Sequence, residues 1–239
     1  MYTGSNGSNF ATKLLGYLQE ADYYIANTKD IQEHIFQLRH ECYMREGAIE
    51  PAASEMFSDD YDQMDNCWIF GIYLEGKLVS SIRCHVISKE WNRGPSLDVF
   101  PDLIAPMIYD EGLTLVDPTR FVVDAEAARK YPELPFMTLR AACMTYDYFD
   151  ADYCLASVRK EHRAFYRRVF KAEFMSEPRP YPTLKTPICL MRTNVARFRS
   201  ELLRRYPIFE SSLTERRMLF EYTAQQLVRN QNVGLRVAG

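Results

Sequence analysis

"DPTRFVVDA" (residues 117–125) reads as a β-strand, because Phe121, Val122 and Val123 are strong strand formers. Yet it carries Pro118 near its start, Arg120 in its middle and an aspartate at either end, Asp117 and Asp124. A proline cannot donate to a strand ladder and belongs at an edge, a strand start or a bulge. In a regular strand Asp117 and Arg120 would point to opposite faces, since side chains alternate. A bulge at Pro118 adds a residue, brings both to one side and frees a backbone N–H from the ladder. A free N–H beside a carboxylate and a guanidinium is what acyl transfer needs: an oxyanion donor, a base and an orienting charge. A purely structural Asp–Arg pair at a strand edge would fit the same pattern.

The flanking sequence supplies the architecture. Ile31, Ile35, Leu38 and Cys42 recur at helix spacing between about Asp30 and Glu46. An irregular acidic stretch follows, "EGAIEPAASEMFSDDYDQMDN" (residues 46–66). Residues 67–87 read as a hairpin around the short turn "EGK", and residues 88–112 as a loop with one short helix. After the strand at about Leu113 to Val123 come a helix (133–151), a strand (152–158), a helix (159–175) and a strand (186–192). Thr193 or Asn194 caps a helix over 195–206, and a last helix is expected from about Thr214 to Asn230. The fold class is α+β: a mixed, mostly antiparallel sheet flanked by helices. The domain reading is a loose leader over residues 1–12, one domain over 13–193, and a helical C-terminal extension over 194–239 packed on it.

Composition excludes several classes of function. Of 239 residues, 47% are hydrophobic and 26% charged, the balance of an ordinary soluble globular chain. The net charge of -3 gives no global attraction to nucleic acid. No run of about 18 apolar residues is present, so no integral membrane association is expected. The polar start "MYTGSNGSNF" lacks the features of a signal peptide, so a cytoplasmic location is expected. The six cysteines are scattered without a C-x-x-C pair and read as reduced, mostly buried thiols. The four histidines form no H-x-x-x-H pair, and no metal site is expected.

The order strand, helix, strand, helix around residues 113–175 resembles the core of the GNAT acyltransferases. That resemblance implies a bulged strand, "LTLVDPTRFVVD", splayed from "DYCLASV", with the donor's pantetheine arm in the gap. The usual phosphate loop of Gly and basic residues is replaced by "KYPELPF", which argues against coenzyme A as donor. "RHECYMREG", "DDYDQMDN", "GKLVSSIRCHVI" and "DPTRFVVD", in this order, resemble the acyl-homoserine-lactone synthases over roughly residues 35–170. Arg39, Tyr43, Asp62, Asp65, Arg83 and Arg120 occupy matching positions, and Asp117 stands where that family has a glutamate. The Trp that follows the first helix in those S-adenosylmethionine-using synthases is missing from "REGAIEP". With the helical C-terminal extension, this makes the chain more similar to the N-acyl amino acid synthases of the N-acyltyrosine type.

The resemblance implies a reaction: a long-chain acyl group passes from acyl carrier protein to the α-amine of a free amino acid, with tyrosine the expected acceptor. The acyl-phosphopantetheine of the carrier protein is then a co-substrate, and no permanently bound cofactor is expected. A homoserine-lactone synthase using S-adenosylmethionine, and a non-catalytic module binding carrier protein or lipid, are the rival readings. A free α-amine with a pKa of roughly 9 is about 1% unprotonated at neutral pH, so a carboxylate base is useful. Asp117 is the first choice, with Asp124 and Glu126 as alternates, and bulge amides near Arg120 and Phe121 would receive the oxyanion. Arg120 and Arg83 either clamp the acceptor's carboxylate or pair with Asp62 and Asp65 to staple the acidic loop. Arg39, Tyr43, Phe121 and Val122 complete the expected substrate site. Phe136, Met137, Leu139 and Cys143 are expected to line the acyl chain, and Ser157, Val158 and Arg159 the pantetheine groove. Lys160, Arg163, Arg167, Arg168 and Lys171 form a basic face suited to an acidic carrier protein, or a plain solvated one.

Overall fold

The computed structural model describes residues 5–222, with side chains from residue 12 onward. A seven-stranded sheet runs in the order β1-β2-β3-β4-β5-β7-β6. Its strands are β1 (Ala21–Ile25), β2 (Cys67–Leu74), β3 (Lys77–Ile87), β4 (Leu115–Val123), β5 (Tyr153–Val158), β6 (Glu173–Phe174) and β7 (Cys189–Asn194). Every neighbouring pair is antiparallel except β4 and β5. The helices are α1 (Ser5–Glu20), α2 (Lys29–Arg45), α3 (Pro95–Val99), α4 (Pro101–Tyr109), α5 (Ala125–Lys130), α6 (Leu134–Tyr148), α7 (Arg163–Phe170), α8 (Val195–Arg205) and α9 (Leu213–Arg217). This is the expected α+β fold, and no described helix is long and apolar enough to cross a membrane.

Local chemistry explains the elements that position the site. The β2–β3 hairpin turns on Glu75 and Gly76, both with positive φ (51° and 74°), the conformation whose twist matches a two-residue hairpin. Thr28 caps α2 by accepting from the Ile31 N–H, and the helix buries Ile35, Phe36, Leu38 and Cys42 against the sheet. On the opposite face α6 packs Leu134, Met137, Ala141 and Met144 against Phe70, Ile82 and Cys84. A buried hydrogen bond between Ser80 Oγ and Thr138 Oγ1 (2.7 Å) fixes its register. Helices α3 and α4 cover the other end of the α2 face, where Leu97, Phe100 and Ile104 join Ile87, Leu115 and Leu155.

Parallel strands β4 and β5 pair at only two positions, Leu115↔Tyr153 and Val116↔Cys154, and then part. From Asp117 onward β4 has one edge without a ladder, a setting that tolerates Pro118. Pro118 itself lies in register opposite Cys84, so the expected bulge at Pro118 is not there. The irregularity falls two residues later, where Arg120 and Phe121 together oppose Ile82 between the pairs Arg83↔Thr119 and Ser81↔Val122. Arg120 adopts φ 53° there. A bulge of this kind needs a left-handed residue, which a proline locked near φ −65° cannot supply.

Other boundaries differ from the sequence reading. The short edge strands β1 and β6 add to the expected sheet. The helix after β4 is two helices, α5 and α6, and residues 88–112 hold two helices rather than one. The basic helix begins with a 3-10 turn at Lys160–His162 and stops at Phe170, where Lys171 turns left-handed (φ 55°). Helix α1 starts at Ser5, inside the segment read as a loose leader. The expected last helix is present to Tyr222 as α9 and one further helical turn; its remainder lies outside the described residues.

Gly94 sets the height of α3 over β3: a Cβ there would sit 2.7 Å from Ile87 Cδ1, in a fully buried site. Gly94→Ala should destabilise the fold by about 1–3 kcal/mol through overpacking, read as a lowered denaturation midpoint; an unchanged midpoint would show that α3 is not packed this closely.

Candidate functional site

Three arginines and two aspartates form one buried network on the α2 face. Arg39 on α2 donates to Asp62 Oδ1 (2.8 Å), and Arg83 on β3 pairs with Asp62 Oδ1 (3.0 Å) and Asp59 Oδ1 (2.5 Å). Arg120 donates from Nη2 to Asp59 Oδ2 (2.5 Å) and to Thr183 Oγ1 (2.9 Å). Both aspartates come from one short 3-10 turn, Asp60–Gln63. Asp59 caps it, and the Asp62 carboxylate accepts from the Asp59 N–H. Burial pushes the Asp59 carboxyl up, but the guanidiniums of Arg83 and Arg120 override it and hold its pKa at about 2. Asp62 is lowered in the same way by Arg39 and Arg83. With three guanidiniums against two carboxylates, the cluster keeps one buried positive charge in excess.

That excess faces a cavity. A space of about 570 Å³ runs through the sheet where β4 and β5 part, lined by Pro118 to Val123 on one strand and Cys154 to Arg159 on the other. On the α2 face its wall includes Tyr43, Arg45 and Arg120; on the opposite face it is mostly apolar, with Leu139, Ala142, Tyr146, Phe198 and Leu202 from α6 and α8, and Arg199 beside them. Arg120 Nε and Nη1 are buried and have no hydrogen-bond partner among the described residues. Its guanidinium lies over the rings of Phe57 (4.5 Å), Tyr43 (5.7 Å) and Tyr181 (5.9 Å).

Asp117 is fully buried on the same side of β4 but does not line the cavity. Its Oδ2 accepts from the Ser96 N–H (3.0 Å) and its Oδ1 from the Ser96 hydroxyl (2.6 Å). Burial raises its pKa to about 6, although both Ser96 donors and the Arg83 charge pull downward. Its cross-strand neighbour His85 is driven down to about 3 by burial and Arg83, so it is neutral.

The structure sorts the expected residues. Tyr43, Arg120, Phe121, Val122, Leu139, Cys143, Ser157, Val158 and Arg159 all border the cavity. Arg39 and Arg83 do not; they hold the aspartates. Asp65 is exposed and outside the network; Asp59, which the sequence reading missed, takes that part. Its signal was the D-x-x-D spacing of a capping box over Asp59–Asp62. Asp124 caps α5 by accepting from the Ala127 N–H, and Glu126 is exposed on the first turn of that helix; neither lines the cavity. Met137 packs in the core and Phe136 stacks among Phe165, Tyr206 and Phe209, so neither lines the cavity. Of the basic face, Lys160, Arg167 and Arg168 are exposed, whereas Lys171 pairs with Glu201 (3.1 Å) and Arg163 lies over Phe174. Among the described residues no group of three or more metal-ligating side chains gathers.

Similar folds are known. FeeM, an N-acyl amino acid synthase from uncultured soil microbes, superposes with a TM-score of 0.62 at 16% identity, over 77% of this chain and 96% of its own. BjaI, a CoA-dependent acyl-homoserine lactone synthase, gives 0.55 at 16% identity, over 80% and 92%. A putative N-acetyltransferase from Lactobacillus plantarum gives 0.51 at 12%, over 73% and 97%. A search of the curated proteins finds no match. Splayed strands, a bulge at the gap and these neighbours define a GNAT-like fold. A family model described as N-acyl amino acid synthase FeeM matches residues 34–194, more than half of the chain. The chain therefore belongs to the N-acyl amino acid synthase family.

The fold favours ionised Asp59, so its contribution to stability is full above the ordinary carboxyl value of 3.8 and is lost as pH falls through about 2. Asp59→Asn should cost about 3–5 kcal/mol at neutral pH by stranding buried charge. Denaturant titrations from pH 7 to pH 2 should show that deficit shrinking with acidity. A deficit that does not change with pH would mean Asp59 holds the turn by shape alone.

Proposed function

We propose that this acyltransferase joins a long-chain acyl group, delivered on acyl carrier protein, to the α-amine of a free amino acid. The single observation that carries this reading is the cavity through the sheet. It has the buried Arg120 guanidinium, two of its nitrogens unbonded, on one side and a mostly apolar channel on the other, with the β4–β5 gap between them. The acceptor's carboxylate would take a charge-assisted hydrogen bond from the free Nη1 of Arg120. The thioester would lie in the gap beside the Arg120–Phe121 bulge, whose amides would receive the oxyanion. The acyl chain would run between α6 and α8, gaining about 0.8 kcal/mol per buried methylene. Phe57, Tyr43 and Tyr181 around Arg120 favour an aromatic acceptor, and tyrosine follows from the resemblance.

The start of α6 supports a carrier-protein donor over coenzyme A. A GNAT diphosphate rests on free N–H groups at this helix N-terminus. Here the Leu134 N–H already donates to the Tyr131 carbonyl (3.0 Å) and the Phe136 N–H to the Glu133 carbonyl (2.9 Å); Pro135 has none. Glu133 adds a buried carboxylate at the same point, paired with Lys13 at 2.8 Å. A phosphodiester on a single pantetheine makes no such demand. The exposed Lys160, Arg167 and Arg168 follow the cavity mouth at Arg159, where an acidic partner would meet them.

Incubation with long-chain acyl carrier protein, the twenty amino acids and S-adenosylmethionine, read by mass spectrometry, tests the reading: one N-acyl amino acid is expected. An acyl-homoserine lactone would overturn the acceptor, and activity with acyl-coenzyme A alone would overturn the donor. Arg120→Gln should raise the KM for the amino acid by about 100-fold, as expected for a lost charged contact worth roughly 2–3 kcal/mol, and leave the KM for the acyl donor within a few-fold. An unchanged acceptor KM would remove Arg120 from carboxylate binding.

A further inference from the structure

Asp117 has no wall in the cavity, yet it is joined to it. Its neighbour Ser96 is fully buried on α3, above the point where β4 and β5 part. Ser96 Oγ lies 2.6 Å from Asp117 Oδ1 on β4 and 2.7 Å from Ser157 Oγ on β5. Ser157 borders the cavity. Three side chains therefore bridge the gap in an unbroken line of hydrogen bonds, and the line has a direction. The carboxylate can only accept, so the single Ser96 hydroxyl proton points to Asp117. Ser96 Oγ must then accept from Ser157, which leaves the Ser157 oxygen lone pairs turned to the cavity as an acceptor.

Resting on the reading of the chain as an N-acyltransferase for amines, we propose that Ser157 and Ser96 relay a proton from the acceptor's ammonium group to Asp117. The ammonium N–H bond breaks as its proton passes to Ser157 Oγ. The Ser157 hydroxyl proton passes to Ser96 Oγ, and the Ser96 proton to Asp117 Oδ1. The freed nitrogen lone pair forms the C–N bond at the thioester carbonyl. Collapse of the adduct breaks the C–S bond, and the second nitrogen proton goes to the departing thiolate. Net, one amide and one thiol form and one proton stays on Asp117, to be returned to solvent.

The surroundings suit this use. The groups facing Asp117 are Arg83, Cys84 and His85 on β3, Cys154 on β5, and Tyr181 from the loop before β7. Burial drives the Cys84, Cys154 and Tyr181 pKa values up and the His85 value down, so all four are neutral and Arg83 is the only charge. On α3 itself Asp98 is committed to the Tyr61 hydroxyl (2.6 Å). The raised Asp117 value of about 6 leaves the carboxylate ionised at neutral pH and able to hold a proton in passing. Asp117 and Ser96 remain hidden from substrate, so the proton enters at Ser157.

A purely structural role must be told apart, because Ser96 also clips α3 to both strands. The test compares two acceptors in wild type, Ser157→Ala, Ser157→Thr and Asp117→Asn: the accepted amino acid, and its α-aminooxy analogue. The analogue keeps the carboxylate but carries a nitrogen unprotonated at neutral pH, so it needs no relay. Ser157→Ala and Asp117→Asn should lose about 100-fold in kcat/KM for the amino acid and stay within a few-fold of wild type for the analogue. The wild-type acid limb near pH 6 should disappear from both, and Ser157→Thr should restore rate and limb. Equal losses with both acceptors, or full amino-acid turnover in Ser157→Ala, would overturn the relay while leaving the proposed function standing. A wild type that acylates neither acceptor would overturn both.

Discussion

Two hydrogen-bonded residue pairs hold β4 and β5 together, and beyond them the sheet opens. Parallel strands left unpaired in a protein interior would expose backbone donors and acceptors, which is costly without replacement partners. This chain props both arms. On β4 the left-handed Arg120 turns its side chain back to Asp59, and the network carries the load to Asp62, Arg83 and Arg39. Across the gap Ser96 ties Asp117 to Ser157. The opening is a built feature, held by charge on one side and by hydroxyls on the other.

The electrostatics follow from how few carboxylates meet the arginines. A fully balanced buried network would be inert, since each guanidinium would be spent on a partner. Here Arg120, the member that borders the cavity, keeps Nε and Nη1 without partners among the described residues. Burying guanidinium donors without partners is costly, so the site gains most from a ligand that brings a negative charge to them. An amino acid brings that charge on the carbon next to its amine. On the proposed reading, recognition of the carboxylate and placement of the nucleophile are one event.

Much of this could be read in the sequence, and the failures are instructive. The hairpin, β4, β5 and the run of helices were visible because turn residues and apolar periodicity mark them. The splay was implied by resemblance, since nothing in the composition of "DYCLASV" says that it leaves its neighbour. The bulge was assigned to Pro118 because proline is a visible breaker. Its true seat, a left-handed arginine, is imposed by the Asp59 and Thr183 contacts, which no local pattern records. Asp59 was hidden among five acidic residues between positions 55 and 65, and only its capping geometry distinguishes it from Asp65. Ser96 and Ser157 are ordinary residues in sequence and become notable only when α3 sets one over the other.

The central claim is spatial: the amide forms in the gap, with the acceptor on the α2 face and the alkyl chain between α6 and α8. A crystal structure with a long-chain N-acyl amino acid bound addresses it directly. The account predicts the carboxylate against Arg120 Nη1, the amide between Phe121 and Ser157, and the chain reaching toward Tyr146 and Leu202. A product whose carboxylate lies away from Arg120, or whose chain lies outside the β4–β5 gap, would contradict it.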